Sequence, residues 1–422
     1  MDMNHVLKAA LAAGVLVTLG PAAWAVDLAG LVRETLEQHP TVVSARQQQA
    51  AAAQDTANAR WQFFPTPSVS VQQGNQGATA NLDSKVRTAS LQQPLWTAGR
   101  LGAQVDRALA NELVGAATLE EVRQDLALRV LTGWSSVQSA LLKLSAFQKS
   151  LATHDRLLKQ VVRRRNEGAS ADSDVMLARA RMESVRAEVM SNQIQLETAL
   201  EQLSQLAGRK VQAHDVALQS VAPLPEGLVV DVWVGKALER APSLSKAQAR
   251  VQAQTAELAI AQASLWPEVF ARVEKKHGDV NRYRTTAYIG MEASLGAGLS
   301  KQTAAAAAQA RLQSLQSDVQ TQQRTVTEQV RSDFAQWVSA AQRSAMLASV
   351  VSASENVADS WSRQFLSGRK TWQEVMNAAR EQAQNEVQLG DVQAQALLLG
   401  KRLVIYADGV DALVSAAAVK GN

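Results

Sequence analysis

The sequence contains no cysteine among its 422 residues. This absence excludes disulfides, thiolate metal sites and attachment of a lipid to an N-terminal cysteine. Only nine prolines occur, which favours long uninterrupted helices. The five histidines lack the spacing of helical metal ligands, and no phosphate-binding glycine loop or nucleophile elbow is present. We therefore expect neither an enzyme nor a bound cofactor.

The net charge is also small, and long apolar runs are few. The formal net charge is only +4, which does not give the basic footprint of a nucleic-acid-binding protein. Beyond residue 25, no segment offers the roughly 18 uncharged apolar residues of a transmembrane helix. A chain of this composition that resides in a membrane must therefore cross it with strands.

The first 25 residues have the pattern of a secretory signal peptide. Lys8 precedes a short apolar run from Ala9 to Leu19, and Ala23-Trp24-Ala25 fits the small-x-small cleavage rule. We expect cleavage of residues 1–25. An uncleaved membrane anchor is the alternative, although the run is shorter than the ~20 residues that span a bilayer.

The remaining chain repeats itself. Leu36-Glu37 recurs as Leu238-Glu239, and Asp174-Val175-Met176 recurs as Glu374-Val375-Met376. A repeat at a spacing of about 200 residues predicts a fold of two equivalent halves. We assign the halves to residues 26–208 and 230–408, the linker between them to 209–229 and a C-terminal tail to 409–422.

Apolar periodicity predicts long helices in each half. Apolar residues recur every three or four positions from Arg100 to about Asn166, and no proline interrupts them. At 1.5 Å per residue this run makes a rod of roughly 100 Å, far longer than a helix of a globular domain. The fold class is therefore mainly α, with coiled-coil-like helices. Further helices are predicted over residues 28–60 (with a break near Pro40), 173–206, 232–263, 301–367 and 371–406.

Two segments alternate in the manner of β-hairpins. They span about residues 66–93 and 268–295, at equivalent positions of the two halves. A single hairpin would have open edges. Four strands cannot close a barrel that spans a membrane, whereas twelve strands from three chains can. Alternation would then turn one face of the sheet toward lipid and the other toward a lumen.

Aromatic residues cluster where helices meet these hairpins. Such positions suit an aromatic girdle at the membrane surface; the alternative is that the rings cap a small soluble core. The residues are Trp61, Phe63, Phe64, Trp96, Trp266 and Phe270.

The motifs SLQQPLWTAGR at 90–100 and EGxxxxSDV at 167–175, set in a duplicated order of helix, hairpin and helix, carry a family resemblance. Beyond the signal segment, the whole chain resembles the TolC-like outer-membrane factor family. The resemblance implies a homotrimer with a 12-stranded β-barrel in outer-membrane lipid, joined to an α-helical tunnel in the periplasm. It also implies a passive conduit that works with a periplasmic adaptor and an inner-membrane pump.

The missing cysteine bears on the branch of this family, because many drug-efflux members are anchored through a lipidated N-terminal cysteine. The chain looks closer to members that serve type I secretion. Its segment GRKTWQEVMNAARE at 368–381 resembles those paired with ABC transporters that export large adhesins or RTX-type proteins. Multidrug or metal efflux is the alternative, and a periplasmic coiled-coil adaptor or scaffold is a third possibility.

The resemblance further implies a gate at the two helix–helix turns, residues 166–173 and 367–371. By motif position, Asp174 is the acid of a hydrogen-bonded lock, and Lys370, with Arg369 beside it, is the basic partner. The alternative is that these charges only favour the helix dipole or are solvated.

Three more positions at the gate follow from the same resemblance. Phe365 stands where the family has a tyrosine, so that hydroxyl bond is lost. Glu374 would form a ring of three carboxylates around a threefold axis. Asn377 stands at the position of a second acidic ring, so we do not expect a strong cation-binding double ring.

Overall fold

The computed structural model describes residues 27–75, 83–219, 221, 224, 227–277, 284–294 and 296–415. The expected signal peptide, most of both hairpin turns and the end of the C-terminal tail lie outside these residues. The described elements confirm the predicted fold class, mainly α with a small β part. In chain order they are α1 Leu28–Gln38, α2 Pro40–Trp61, β1 Thr66–Asn75, β2 Asp83–Trp96, α3 Arg100–Asn166, α4 Asp172–Ala207, α5 Val230–Arg240, α6 Pro242–Ala263, β3 Glu268–His277, β4 Arg284–Glu292, α7 Ser300–Leu366, α8 Trp372–Asp408 and α9 Val410–Ser415.

Proline divides the shorter helices at the same point of each half. Pro40 and Pro242 are the first residues of α2 and α6, and the residues before them leave the helical region, with ψ 131° at His39 and 114° at Ala241. Proline suits the first helical turn but disfavours a helical conformation in the residue that precedes it. The break near Pro40 is thus confirmed, whereas the prediction of one continuous helix over 232–263 was wrong.

Two long helices end in the same kind of turn. Both α3 and α7 contain 67 residues, which corresponds to about 100 Å. Gly168 and Gly368 follow them with φ of +75° and +76°, a left-handed conformation that glycine adopts without a Cβ clash. In each turn the chain reverses into α4 or α8, so the two turns lie at the end of the molecule farthest from the strands.

The four strands form one antiparallel sheet in the order β1-β2-β3-β4. Cross-strand register places Gln92 beside Arg272 and Arg272 beside Tyr288, and it places Leu91 beside Val273. Because successive side chains point to opposite faces, the sheet has one polar face and one largely apolar face. This agrees with the alternation predicted from the sequence.

The helices form a layer that repeats the order of the sheet. Next to the sheet, α3 contacts α2 and α6, and α6 contacts α7; toward the turns, α3 contacts α4 and α8, and α8 contacts α7. The elements at one edge, β1, α2 and α4, come from the first half. Those at the other edge, β4 and α7, come from the second half. The chain is thus one layer of strands and helices with two unlike edges.

The main apolar core lies midway along this layer. Leu31 of α1, Val130 of α3, Leu203 of α4 and Ile405 of α8 are fully buried there. A separate apolar cluster packs the two turns together. No helix within the described residues is long and apolar enough to cross a membrane.

Candidate functional site

The candidate gate is built on an apolar cluster that holds the two turns side by side. Val161 of α3 and Val175 of α4 pack with Phe365 of α7 and Val375 of α8. Because these side chains are buried, the turns of the first and second halves form one tip. The polar side chains around this cluster can therefore act on both turns.

Glu374 fixes the start of α8 through a reciprocal cap. Its backbone N–H donates to Thr371 Oγ1 at 3.3 Å, and its Oε2 accepts from the Thr371 backbone N–H and hydroxyl, both at 2.9 Å. This is a capping box, which satisfies otherwise unpaired backbone N–H groups at a helix start. The cap holds the Glu374 carboxylate at the turn instead of leaving it free in solvent.

Lys370 completes the arrangement of the second turn. Its Nζ lies 2.6 Å from Glu374 Oε1 and 4.3 Å from the centroid of the Trp361 ring. The ammonium of Lys370, together with both donors of Thr371, lowers the pKa of Glu374 to about 2. Glu374 is therefore ionised at any physiological pH, as an acidic ring requires.

The first turn is held by fewer bonds. Asp174 Oδ2 accepts from the Ala171 backbone N–H at 3.2 Å, but alanine has no side-chain acceptor to return the bond. Arg165 Nε lies 3.0 Å from Asp172 Oδ1 and thereby ties the end of α3 to the start of α4. Of the two turns, the first thus has the weaker cap.

Arg164 and Phe365 join the turns across the halves. Arg164 donates to the Phe365 carbonyl at 2.9 Å, and its guanidinium lies 4.8 Å from the centroid of the Phe365 ring. Phe365 is only 2% exposed. The Phe365 ring therefore packs in the apolar cluster and also provides the face on which the Arg164 guanidinium stacks.

In the described residues, the predicted gate residues have contact partners that differ from those predicted from the sequence. Lys370, in the second turn, is bound to Glu374 at the start of α8, and Asp174 is bound within the first turn. Arg369 and Asn377 are exposed. A lock between Asp174 of the first half and Lys370 of the second half stays a prediction.

Trp361 and Thr371 were not singled out from the sequence. The T-x-x-E spacing of Thr371 and Glu374, and the four-residue spacing of Lys370 and Glu374, are signals that could have revealed the cap and the ion pair. No sequence signal links Trp361 to Lys370, because the turn separates them.

The aromatic residues lie at the junction of helices and strands. Trp61 ends α2 and packs on Phe64 with ring centroids 5.0 Å apart. Both rings are exposed, as are Phe63, Trp96 and Trp266. The girdle role of these residues stays a prediction.

Phe270 differs from the other aromatic residues. It is 9% exposed and lies on the polar face of the sheet, with its ring centroid 4.8 Å from the Arg272 guanidinium. Its cross-strand partner is Gly290, and a Cβ on Gly290 would come within 2.6 Å of the Phe270 ring. The ring therefore covers the glycine, a packing role within the sheet.

Both edges of the helical layer carry exposed apolar side chains. On α4, Met190 and Ile194 are 61% and 62% exposed; on α7, Met346 and Val350 are 66% and 44% exposed. All four lie roughly 20 residues from their turns, about 30 Å along a helix. Apolar exposure at one height on opposite edges is typical of surfaces that meet in an assembly.

The sequence matches a known family over most of its length. The model of the family described as "Outer membrane efflux protein" matches residues 31–209 and 233–403. The chain is 29% identical over 144 residues to the pyoverdine export outer membrane protein OpmQ of Pseudomonas aeruginosa. This alignment covers 33% of this chain and 29% of that protein. It is 26% identical over 200 residues to the toluene efflux pump outer membrane protein TtgF of Pseudomonas putida. This alignment covers 46% of this chain and 40% of that protein.

The chain thus spans less than half of the length of these curated relatives. The fold matches over a longer range. A crystal structure of a membrane protein from Pseudomonas aeruginosa superimposes with a TM-score of 0.78 at 20% identity, covering 90% of each chain.

Proposed function

The chain belongs to the outer membrane efflux protein family, and we propose that three copies of it form a passive exit duct. The duct crosses the outer membrane as a 12-stranded β-barrel and continues into the periplasm as a helical tunnel. A periplasmic adaptor and an inner-membrane transporter are its partners, and its role is transport without catalysis.

The observation that carries this proposal is the pair of unlike open edges. Edge strands β1 and β4 have unpaired backbone groups along one side, which lipid cannot satisfy. Repeating the chain around an axis brings β4 of one copy to β1 of the next and α7 to α4. Such head-to-tail contacts close into a ring when the rotation allows.

Three copies fit the strand number. Three sheets of four strands make an even-numbered antiparallel barrel without edges. The apolar patches on α4 and α7 meet in the same ring because Ile194 and Met346 lie at a similar distance from their turns. The sheet and the helical layer are therefore both consistent with a ring of three chains.

At the far end of the tunnel, the tip is the proposed gate. Glu374, ionised and fixed by Thr371 and Lys370, supplies one carboxylate per chain to a ring on the threefold axis. Asp174 supplies the acid of a lock with Lys370 and Arg369 of a neighbouring chain. Exposed ion pairs each contribute only ~0–1 kcal/mol, and a weak lock suits a gate that has to open.

For the cargo, we propose protein export by a type I system, in which the inner-membrane partner is an ABC transporter of a large adhesin or RTX-type protein. The support is the segment at 368–381 and a sequence without cysteine. Small-molecule efflux is the second candidate, because the matched relatives are named for pyoverdine export and toluene efflux.

A cysteine cross-link tests the ring directly, since the natural chain has no cysteine to interfere. In the double variant Ile194→Cys with Met346→Cys, mild oxidation should link α4 of each copy to α7 of the next. We expect a denaturing gel to show dimers and trimers and no larger species. Unheated wild type from the outer-membrane fraction should migrate as a heat-modifiable trimer.

A matched control places the cysteines on the same two helices at different heights. Leu177 is exposed on α4 but lies close to the turn, so Leu177→Cys with Met346→Cys should not cross-link. A soluble periplasmic monomer, or equal linking in both pairs, would contradict the proposed ring and favour the adaptor or scaffold.

A further inference from the structure

The largely apolar face of the sheet ends in a basic cluster. Side chains of this face near the helices are Val69, Leu91, Val273, Ile289 and Met291, all exposed. At the opposite ends of the central strands, Arg87 of β2 pairs with His277 of β3. The same face also carries Lys275, two residues before His277. Among the described side chains of this face, Arg87 and Lys275 thus lie at one end of a largely apolar surface.

The register places Arg87, Lys275 and His277 close together. Arg87 stands between Val71 on β1 and His277 on β3. Lys275 is diagonal to Arg87 across the β2–β3 pair. Diagonal neighbours in an antiparallel pair are ~7–8 Å apart, within reach of long side chains. Arg87 and Lys275 are both exposed, so one anionic group can contact both.

The height of the cluster matches a membrane boundary. Strand β3 has 10 residues, which extend about 33 Å and rise roughly 25 Å at the tilt usual in barrels. The apolar band of an outer-membrane barrel is also ≈ 25 Å tall. With Trp266 before the start of β3 at the periplasmic boundary, His277 at its end reaches the outer boundary.

We propose that Arg87, Lys275 and His277 form a site for the phosphate groups of outer-leaflet lipid, as carried by diphosphorylated lipid A. The inference rests on the proposed function, because only in the assembled barrel does this face meet lipid. An arginine side chain beside a lysine suits phosphate, since the guanidinium binds two oxygens and the ammonium adds a charge. Three chains give three such sites around the barrel.

The charge of these residues also favours this position over any deeper one. A lysine or arginine on the lipid face is costly at the bilayer midplane and nearly neutral close to the interface. Cations near an anionic lipid surface gain attraction instead. The cluster therefore sets how deeply the barrel sits and binds headgroups at that depth.

Lipid binding to the purified full-length trimer tests the proposal. Native mass spectrometry in detergent would compare diphosphorylated lipid A with the same lipid after removal of its phosphates. We expect the wild type to prefer the phosphorylated lipid. The double variant Arg87→Gln with Lys275→Gln should bind it about 30-fold more weakly, the loss expected for two cations near a lipid surface.

A matched control removes a cation from the same end but the other face. Register pairs Arg284 of β4 with Lys276, which places it on the polar face, so Arg284→Gln should leave lipid binding unchanged. The charge-conserving pair Arg87→Lys with Lys275→Arg should also retain binding. If the glutamine pair does not assemble, Lys275→Gln alone replaces it and should still weaken binding.

Three outcomes would overturn the site: equal lipid binding by wild type and glutamine variant, an equal loss in Arg284→Gln, or displacement of the lipid by inorganic phosphate at equal concentration. Each variant is first shown to migrate as a heat-modifiable trimer. Lost binding in the intact trimer thus concerns this site, whereas a wild type without a trimer contradicts the duct itself.

Discussion

At the scale of residues, the tip contains two turns of the same shape with different chemistry. Gly168 and Gly368 shape the turns alike, but only the second turn has a threonine cap and a lysine that pairs with the capping glutamate. The first turn relies on backbone capture by Asp174. The second turn is therefore the better-capped side of the proposed gate, and we expect the first turn to be released more easily.

Loss of either partner of the proposed lock should open the duct at rest. We expect Asp174→Ala and Lys370→Ala each to raise single-channel conductance in planar bilayers, because each removes an ion pair repeated three times around the axis. Lys210→Ala, in the segment between the halves, is the matched control and should leave conductance unchanged. Unchanged conductance in both gate variants would remove the lock assignment.

The pKa of Glu374 predicts how acid affects the tip. A carboxylate whose folded pKa is about 2 instead of 4.5 stabilises the turn fully above pH 4.5, and this stabilisation is lost as pH falls from 4.5 toward 2. Lys370→Met removes the main cause of the shift, so the acid-induced change in conductance, taken relative to the same variant's conductance at neutral pH, should move to higher pH.

Conductance recorded from neutral pH down to about 2 measures this shift. Glu374→Gln is the control, since it lacks the titrating group and should lose the transition. If Lys370→Met and wild type change at the same pH, the ion pair does not govern the carboxylate.

At the scale of elements, close helix contacts depend on small residues. Gly390 of α8 is buried, and a Cβ there would lie 2.9 Å from the Leu142 Cβ of α3. Because that atom is fixed to the backbone, a side chain at 390 would force the two helices apart. The contact between α3 and α8 joins the two halves, so this spacing matters for the whole layer.

Gly390→Ala should therefore lower stability by up to about 2 kcal/mol, since overpacking costs ~1–3 kcal/mol and alanine recovers ~1 kcal/mol of helix propensity. Gly235→Ala in the middle of α5 is the matched control. Nothing lies within 4 Å of a Cβ there, so it should gain ~0.5–1 kcal/mol. Thermal unfolding followed by tryptophan fluorescence measures both, and an equal gain would contradict the contact.

At the scale of the whole molecule, a single chain leaves backbone groups unpaired at its sheet edges and apolar side chains exposed on its outer helices. Its sheet has two open edges, and its outer helices expose Ile194 and Met346. Three chains in the proposed ring would satisfy both with the same rotation, because the sheet and the helices share one order of elements. In the proposed ring the duplicated sequence would supply six similar units, and the differences between halves would leave the tip with unlike neighbours.

Much of the fold could be predicted from the sequence because its elements are long and strongly periodic. The helix from Arg100 to Asn166 has the predicted bounds. The break at Ala241 was missed, because the apolar pattern continues through Pro242 and hides the change of backbone direction. At the tip, motif position indicated Glu374 and Lys370 but not that they pair with each other.

The sequence by itself determined the halves, the long helices, the strands and the family, since periodicity, proline and glycine act locally along the chain. Only the tertiary structure decided which side chains meet across elements. Arg164 reaches Phe365, and Phe270 covers Gly290, because packing brings together residues that no local pattern connects. The same holds for the basic end of the sheet, where Arg87 and His277 become neighbours only through strand register.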